Sequence, residues 1–289
     1  MADFTQTVMD AYIPQVWSKK ATITYRSNVV LANLCDRRWE PEISVGKGDR
    51  VNIPNFSQNS AAKKRSTFGT GAAVTFDAVD EALTTFQVDQ FAYKAFRVPA
   101  ELSVQAMAMY EPLLVRGIGE AIALQIDNEL ASDTSNGVDS FSTVVGTLNI
   151  DITDDNILTC ETNLNNANAP VSDRFMVVSP ATRTSLMKID AYRNQLYTST
   201  VGSVPGDRAH GYLGRIYTFD VYMSNNLAGA GGKKNGAFQR EAVAFVMQKD
   251  VTIIRQTNIA DGLFNEVVGY AVYGFKKIKD SFGNELDGK

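Results

Sequence analysis

Pro112–Asp133, PLLVRGIGEAIALQIDNELASD, carries the reading that decides the fold. Leu114, Ile118, Ile122, Ile126 and Leu130 recur every fourth residue, and Pro112 opens the run where a helix has no use for its N–H. Four residues advance a helix by about 400°, so this apolar row drifts around the surface and suits a long helix crossed by several partners. From Pro112 to Asp133 the helix would span ~33 Å, the length of a spine. After it comes a compact α/β block, Thr153 to Gly262, and after that block a Tyr- and Val-rich strand, Val267–Phe275, that has to pair with earlier strands.

Within the block, Thr153 stands as a helix N-cap with Asp154 and Asp155 in the first turn, where acidic side chains favour the helix dipole. Ile157, Cys160 and Leu164 give that helix one apolar face. Phe175–Val178 is a continuous apolar run closed by Pro180, the mark of a buried strand, and Ala181–Arg193 reads as a helix. Tyr217, Phe219, Val221 and Met223 alternate with polar positions and predict a strand. A mobile, hairpin-like loop is expected over Asn225–Gly236, followed by strands at Glu241–Met247 and Val251–Ile254 and, behind Phe275, a charged tail Lys276–Lys289.

Upstream of the spine, residues 1–48 hold Trp17 and Trp39 but no self-sufficient period, and read as an arm that packs on something else. Val51 and Ile53 begin a strand, with Pro54 favouring an edge. Ser57–Ala72, SQNSAAKKRSTFGTGA, is too polar and small to supply a core. Extended character returns through Phe86 and Val88, shifts face near Gln90 and continues through Phe91, Tyr93 and Val98, so two long arms with a mobile tip are expected. A short helix is expected from Glu101 to Tyr110.

At 289 residues, 44% hydrophobic and 21% charged, the chain can bury a sizeable core without a staple. Its two cysteines, Cys35 and Cys160, lack CxxC spacing, which removes disulfide frameworks and zinc ribbons and fits a reducing compartment. No run approaches the ~18 apolar residues of a membrane span, and no signal peptide opens the chain. The net charge is −4 and the basic residues form scattered clusters, so no reading element for specific nucleic-acid binding is visible.

Catalytic motifs fail on spacing. His210 is the single histidine, sits between Ala209 and Gly211, and no GxSxG accompanies it. Asp151, Thr153 and Asp155 imitate a calcium loop, but its glycine position holds Asn156 and its glutamate position Thr162. Gly229–Lys234 and Gly69-Thr70-Gly71 miss the phosphate-loop and dinucleotide patterns, so no cofactor and no metal is expected. Trp17, Trp39, Met107, Met109 and Tyr110 could mark partner surfaces, although core packing is expected for most of them; Trp17 is the better interface candidate because its neighbourhood lacks the periodicity to bury it.

Taken in order, Ile13-Pro14-Gln15-Val16-Trp17, Gly46–Pro54, Ala121–Leu130, Arg174–Pro180, Gly214–Leu227 and Val267–Phe275 resemble the major capsid protein of tailed bacteriophages, with its α+β Hong Kong 97-type fold. The resemblance implies an N-terminal arm (1–48), an extended two-stranded loop (49–98), a peripheral domain with the spine helix (99–152), an axial domain (153–262) and a return to the peripheral domain (263–289). It implies a non-enzymatic icosahedral shell of hexamers and pentamers, assembled in the host cytoplasm around double-stranded DNA touched non-specifically. Partners would be further copies of itself, a portal, a separate scaffolding protein and a possible decoration protein. A separate scaffold is expected because the chain opens directly on its arm. Trp17, Lys63, Lys64, Arg65 and Phe68 are the candidate inter-subunit contacts. Some relatives join subunits through a Lys–Asn isopeptide bond; Lys63 or Lys64 with Asn284 beside Glu285 is the formal pair, but Asn284 is expected in an open terminal turn and no cross-link is expected. An encapsulin-type compartment shell and a cytosolic enzyme are the competing readings.

Overall fold

The computed structural model describes residues 30–43, 48–57, 80–99, 110–133, 135–189, 212–227, 229, 233–259 and 264–289. Helix α1 (Leu31–Leu34) is followed by strands β1 (Arg50–Ser57), β2 (Asp80–Gln87) and β3 (Gln90–Pro99), then by the spine helix α2 (Tyr110–Ser132). Strand β4 (Val144–Gly146), helix α3 (Asp154–Asn166), strand β5 (Arg174–Val178) and helix α4 (Pro180–Leu186) come next. The chain closes with β6 (Tyr212–Ile216), β7 (Phe219–Met223), β8 (Lys233–Gln239), β9 (Val243–Asn258), β10 (Phe264–Lys277) and β11 (Gly283–Gly288).

These strands form three sheets: the ribbon β1-β2, a three-stranded sheet β3-β10-β9, and a six-stranded sheet β4-β11-β8-β5-β7-β6. Spine helix α2 lies on the three-stranded sheet, with Ile118, Ile122, Ile126 and Leu130 buried against Ala271, Tyr273 and Phe245. Gly269 is where helix and strand come closest, since a Cβ there would strike the Ile118 side chain. The same cluster continues through Val138 and Phe141 to Phe175, Val177 and Phe238 of the six-stranded sheet, so the two sheets share one core. A second cluster, Ile157, Cys160 and Leu164 with Met176, Val178, Phe219 and Val221, seats α3 on the larger sheet along the expected face.

Several elements differ from the sequence reading. Helix α2 begins at Tyr110, two residues before Pro112, because every N–H of a first turn lacks an intrahelical partner and proline is tolerated throughout it. Helix α4 stops at Leu186, short of the expected Arg193: Lys188 and Ile189 donate to Ser185 and Leu186, three residues back, and tighten the chain out of the helix. Residues 190–193 are outside the described residues, as is the helix expected over 101–109. Tyr217 belongs to a two-residue turn joining β6 to β7, with φ 51°, and the strand starts at Phe219.

The expected loop over Asn225–Gly236 gives up its last four residues to β8, which is paired on both sides, Gly236 standing opposite Glu285 and Val177. Glu241–Met247 and Val251–Ile254 are not two strands: β9 runs for 16 residues across Lys249 and Asp250, and a register shift against β10 between Tyr270 and Tyr273 absorbs the misfit. The charged tail is no tail. Gly283–Gly288 is an interior strand between β4 and β8, because Lys234 of β8 neutralises Glu285 at 2.9 Å. Asn284 is consequently fully buried, donating to the Cys160 carbonyl and accepting from Asn163, which overturns its placement in an open turn.

Within the expected arm, residues 30–43 pack on the rest of the chain, with Val30, Leu31, Leu34 and Cys35 in the main core and Ile43 under the ribbon. Sheet membership crosses the expected segment borders: β4 and β11 complete the six-stranded sheet, while β9 belongs to the three-stranded one.

Candidate assembly surfaces

The β1-β2 ribbon pairs from Arg50 opposite Gln87 to Ser57 opposite Asp80. Its base is fixed: Phe86 and Val88 are buried with Ile43, Ala244 and Val246, and Val51, Ile53, Trp39 and Val272 pack around them. The Lys276 ammonium donates to the Thr85 carbonyl at 2.7 Å and the Gln248 side chain to the Gly48 carbonyl at 2.8 Å. Beyond that base the described ribbon is two strands paired only with each other, an arrangement marginal by itself in water.

The three-stranded sheet presents its second face to solvent over half its length. Strand alternation puts Ala92 under α2 and turns Phe91 and Tyr93 outward, 58% and 67% exposed. Phe91 stacks on Tyr270 with ring centres 5.5 Å apart, and Tyr93 stands 6.0 Å from Phe91. The Lys249 ammonium closes this group at 2.5 Å from the Tyr270 hydroxyl. The sequence reading used Phe91 and Tyr93 only as strand markers; the available signal was that the small residue of the pair, Ala92, faces the other way.

A buried polar node joins the layers. Asp127 of α2 is fully buried; one carboxylate oxygen accepts the N–H groups of Val30 at 3.0 Å and Leu31 at 2.6 Å, and the other accepts Asn226 at 2.8 Å and Ser224 at 3.4 Å. Burial raises its carboxyl above the usual range, and these donors pull it back only in part. On the far side of α2, Tyr273 donates a short hydrogen bond to Glu129, and burial together with that carboxylate raises its phenol.

Catalytic chemistry finds no assembly among the described residues. No cluster of His, Cys, Asp and Glu there could hold a metal ion. Burial pushes the thiols of Cys35 and Cys160 up to about 12, so neither forms a thiolate near neutral pH. Two open grooves among the described residues, one lined by Val98, Leu114, Arg255 and Glu266 and one floored by Ala123, Ile126, Phe245 and Met247, bring no nucleophile against a base. Asp151, read as a false calcium ligand, is held by Lys188, Ser185 and Lys289, which lower its carboxyl in that order. Thr153 does occupy the N-cap of α3, though its side chain makes no capping bond. Trp17, Lys63, Lys64, Arg65, Phe68 and His210 all lie outside the described residues. No described helix is long and apolar enough to cross a membrane.

Neither a protein-family model nor a curated protein matches the chain. Solved structures do. A structure from Mycobacterium phage Che8 is 24% identical, covers 95% of this chain and 97% of its own, and superposes with a TM-score of 0.77. The capsid of the cyanophage P-SCSP1u gives 15% identity, 100% and 99% coverage and a TM-score of 0.70. The capsid of the native GTA particle gives 11% identity, 99% coverage of both chains and a TM-score of 0.71. Since all three are matched from end to end at identities where only architecture persists, the chain carries the α+β fold of the major capsid protein of tailed bacteriophages.

Proposed function

We propose that this chain is the structural, non-enzymatic subunit of an icosahedral phage capsid, assembling through hexamers and pentamers around double-stranded DNA. The observation that carries the reading is the full-length match to capsid structures, which spans ribbon, spine and both larger sheets instead of one shared motif. In this reading the block 153–262 forms the axial domain, with β4 and β11 completing its sheet. The three-stranded sheet with α2 forms the periphery, and the ribbon reaches a neighbouring copy. Trp17, Lys63, Lys64, Arg65 and Phe68 are the inter-subunit candidates from the segments around it. A weakly acidic chain with scattered cations would enclose DNA without gripping it. Portal, scaffolding and decoration proteins are its expected partners, and the virion, assembled in the host cytoplasm, its location.

Negative-stain microscopy and light scattering of the expressed full chain, with and without neighbouring phage genes, test this directly. Closed shells or capsomers many times the 31.6 kDa subunit are expected. A stable monomer at high concentration under both conditions would refute the proposal.

A further inference from the structure

Between the spine and β4 the chain makes one tight helical turn, Val138–Ser140, which packs on α2, β8 and β11. Val138 is buried and wedged on β8, where a Cβ at Gly236 would lie 2.0 Å from its Cγ1. The spine reaches the six-stranded sheet through this turn, so its seat sets how the sheet is carried on the spine. The charges under the seat do not balance. Glu285 and Asp287, two residues apart, share one face of β11, and Asp287 stands opposite Lys234 of β8. The Lys234 ammonium lies 2.9 Å from Glu285 and 3.5 Å from the Asp139 carbonyl oxygen. Three carboxyl groups, Asp139, Glu285 and Asp287, therefore face a single cation, and all three act on it. The surrounding elements do not restore the balance: Asp133 at the end of the spine is a further acid acting on Asp139, and β4 carries no charge. Lys277 of β10 is engaged by Asp280 at 2.7 Å and by the Ser140 carbonyl at 2.6 Å.

One oxygen of Asp139 and one of Asp287 are buried without a hydrogen-bond partner among the described residues. Glu285, 5% exposed, hydrogen-bonds Asp287, a contact that two carboxyl groups make only when one of them carries a proton. We infer that Asp139, Lys234, Glu285 and Asp287 form a proton-operated clasp between the end of the spine and the six-stranded sheet. With a proton shared by Glu285 and Asp287 the turn stays seated; without it, three carboxylates facing one ammonium push Asp139 and its turn off the seam. The direction follows from burial, which raises the carboxyls of Glu285 and Asp139 above their ordinary 4.5 and 3.8 while Lys234 opposes it at both. The folded chain thus keeps protons that the unfolded chain has released, so the seat is tightest in acid and slackens as pH rises through the folded values. Lys234, whose own value is raised by its bond to Glu285, stays charged throughout that range. The clasp lies within one subunit and operates whether or not shells form.

The experiment uses the full chain. Hydrogen exchange read by mass spectrometry from about pH 4.5 to about pH 8, with labelling times scaled to the intrinsic rate at each pH, reports the opening of the turn. Protection of residues 136–146 should fall by about tenfold across the range, the equivalent of one unit between folded and unfolded values, while Phe175–Val178 at the centre of the sheet keeps its protection. Asp287→Asn keeps the side-chain shape, donates to Glu285 in place of the shared proton and removes one negative charge. That variant should hold the turn shut at every pH, with the protection the parent shows in acid, and Asp139→Asn should shrink the fall in the same direction. A parent whose protection at 136–146 does not change with pH overturns the clasp, as does an Asp287→Asn variant that follows the parent's fall. Flat but poor protection in Asp287→Asn would give Asp287 a structural role alone, and equal loss at Phe175–Val178 would make the effect a global destabilisation; either also overturns it.

Discussion

The Asp127 carboxylate accepts the Leu31 backbone N–H at 2.6 Å, tying the middle of the spine helix to the first turn of a helix 96 positions earlier in the chain. The second oxygen reaches Asn226 and Ser224, just past β7, so one side chain ties the spine helix to two distant segments and meets only neutral donors. Asp127→Ala would leave several of those donors buried without acceptors, each costing about 1–3 kcal/mol. A total loss of roughly 3 kcal/mol or more is expected in urea unfolding of the dissociated subunit.

The same carboxyl sets a pH dependence. Its folded value lies above the ordinary 3.8, so over the interval between the two the folded chain holds a proton that the unfolded chain has released. The stability contributed by this group therefore rises as pH falls through the folded value and is flat at higher pH. Stability measured against pH should lose that component in Asp127→Asn, which should also be less stable than the parent at pH 7, because its amide would meet the Asn226 donor with another donor. An identical slope in parent and variant would assign the effect elsewhere.

Gly283→Ala should destabilise the subunit by about 1–3 kcal/mol, the usual cost of overpacking a core. A Cβ at Gly283 would overlap the Phe141 ring, which is itself buried beside Phe238. Phe141→Leu should recover part of the loss in the double variant. Purely additive losses in that double-variant cycle would argue against the overlap.

Both thiols should resist alkylation in the native protein at neutral pH, since Cys35 and Cys160 are buried and neither ionises below about 12. Mass spectrometry after iodoacetamide should show no adduct until denaturant is added. Rapid native labelling of Cys160 would mean that α3 lifts from the sheet.

Particles boiled in detergent should run as one monomer band. Asn284 is sealed inside the six-stranded sheet, bonded to Asn163 and to the Cys160 carbonyl, and no lysine of another subunit could reach it without opening that sheet. A ladder of larger species abolished by Asn284→Ala would contradict this placement.

The sequence by itself determined the elements whose signal is local. The four-residue spacing from Ile118 to Leu130 needs only one partner layer to become a helix, and it is one; the apolar runs at Phe175–Val178 and Val267–Phe275 became strands, as did Phe219–Met223 once Tyr217 is given to the turn. Their periodicity carries its own burial, so no distant residue was needed to read them. What only the tertiary structure decided was the fate of residues whose character is set by a partner far along the chain. Asn284 and Glu285 look like a solvated tail until Asn163 and Lys234, contributed by α3 and β8, satisfy them inside a sheet. The spacing of the spine does not mark Asp127, which becomes a buried node only when the backbone at Val30 and Leu31 arrives to occupy it. Phe91 and Tyr93 show the converse, apolar residues in a strand whose partner layer lies on the other face. Polar burial and apolar exposure are both settled by pairing across the fold, and a one-dimensional pattern does not contain the pairing.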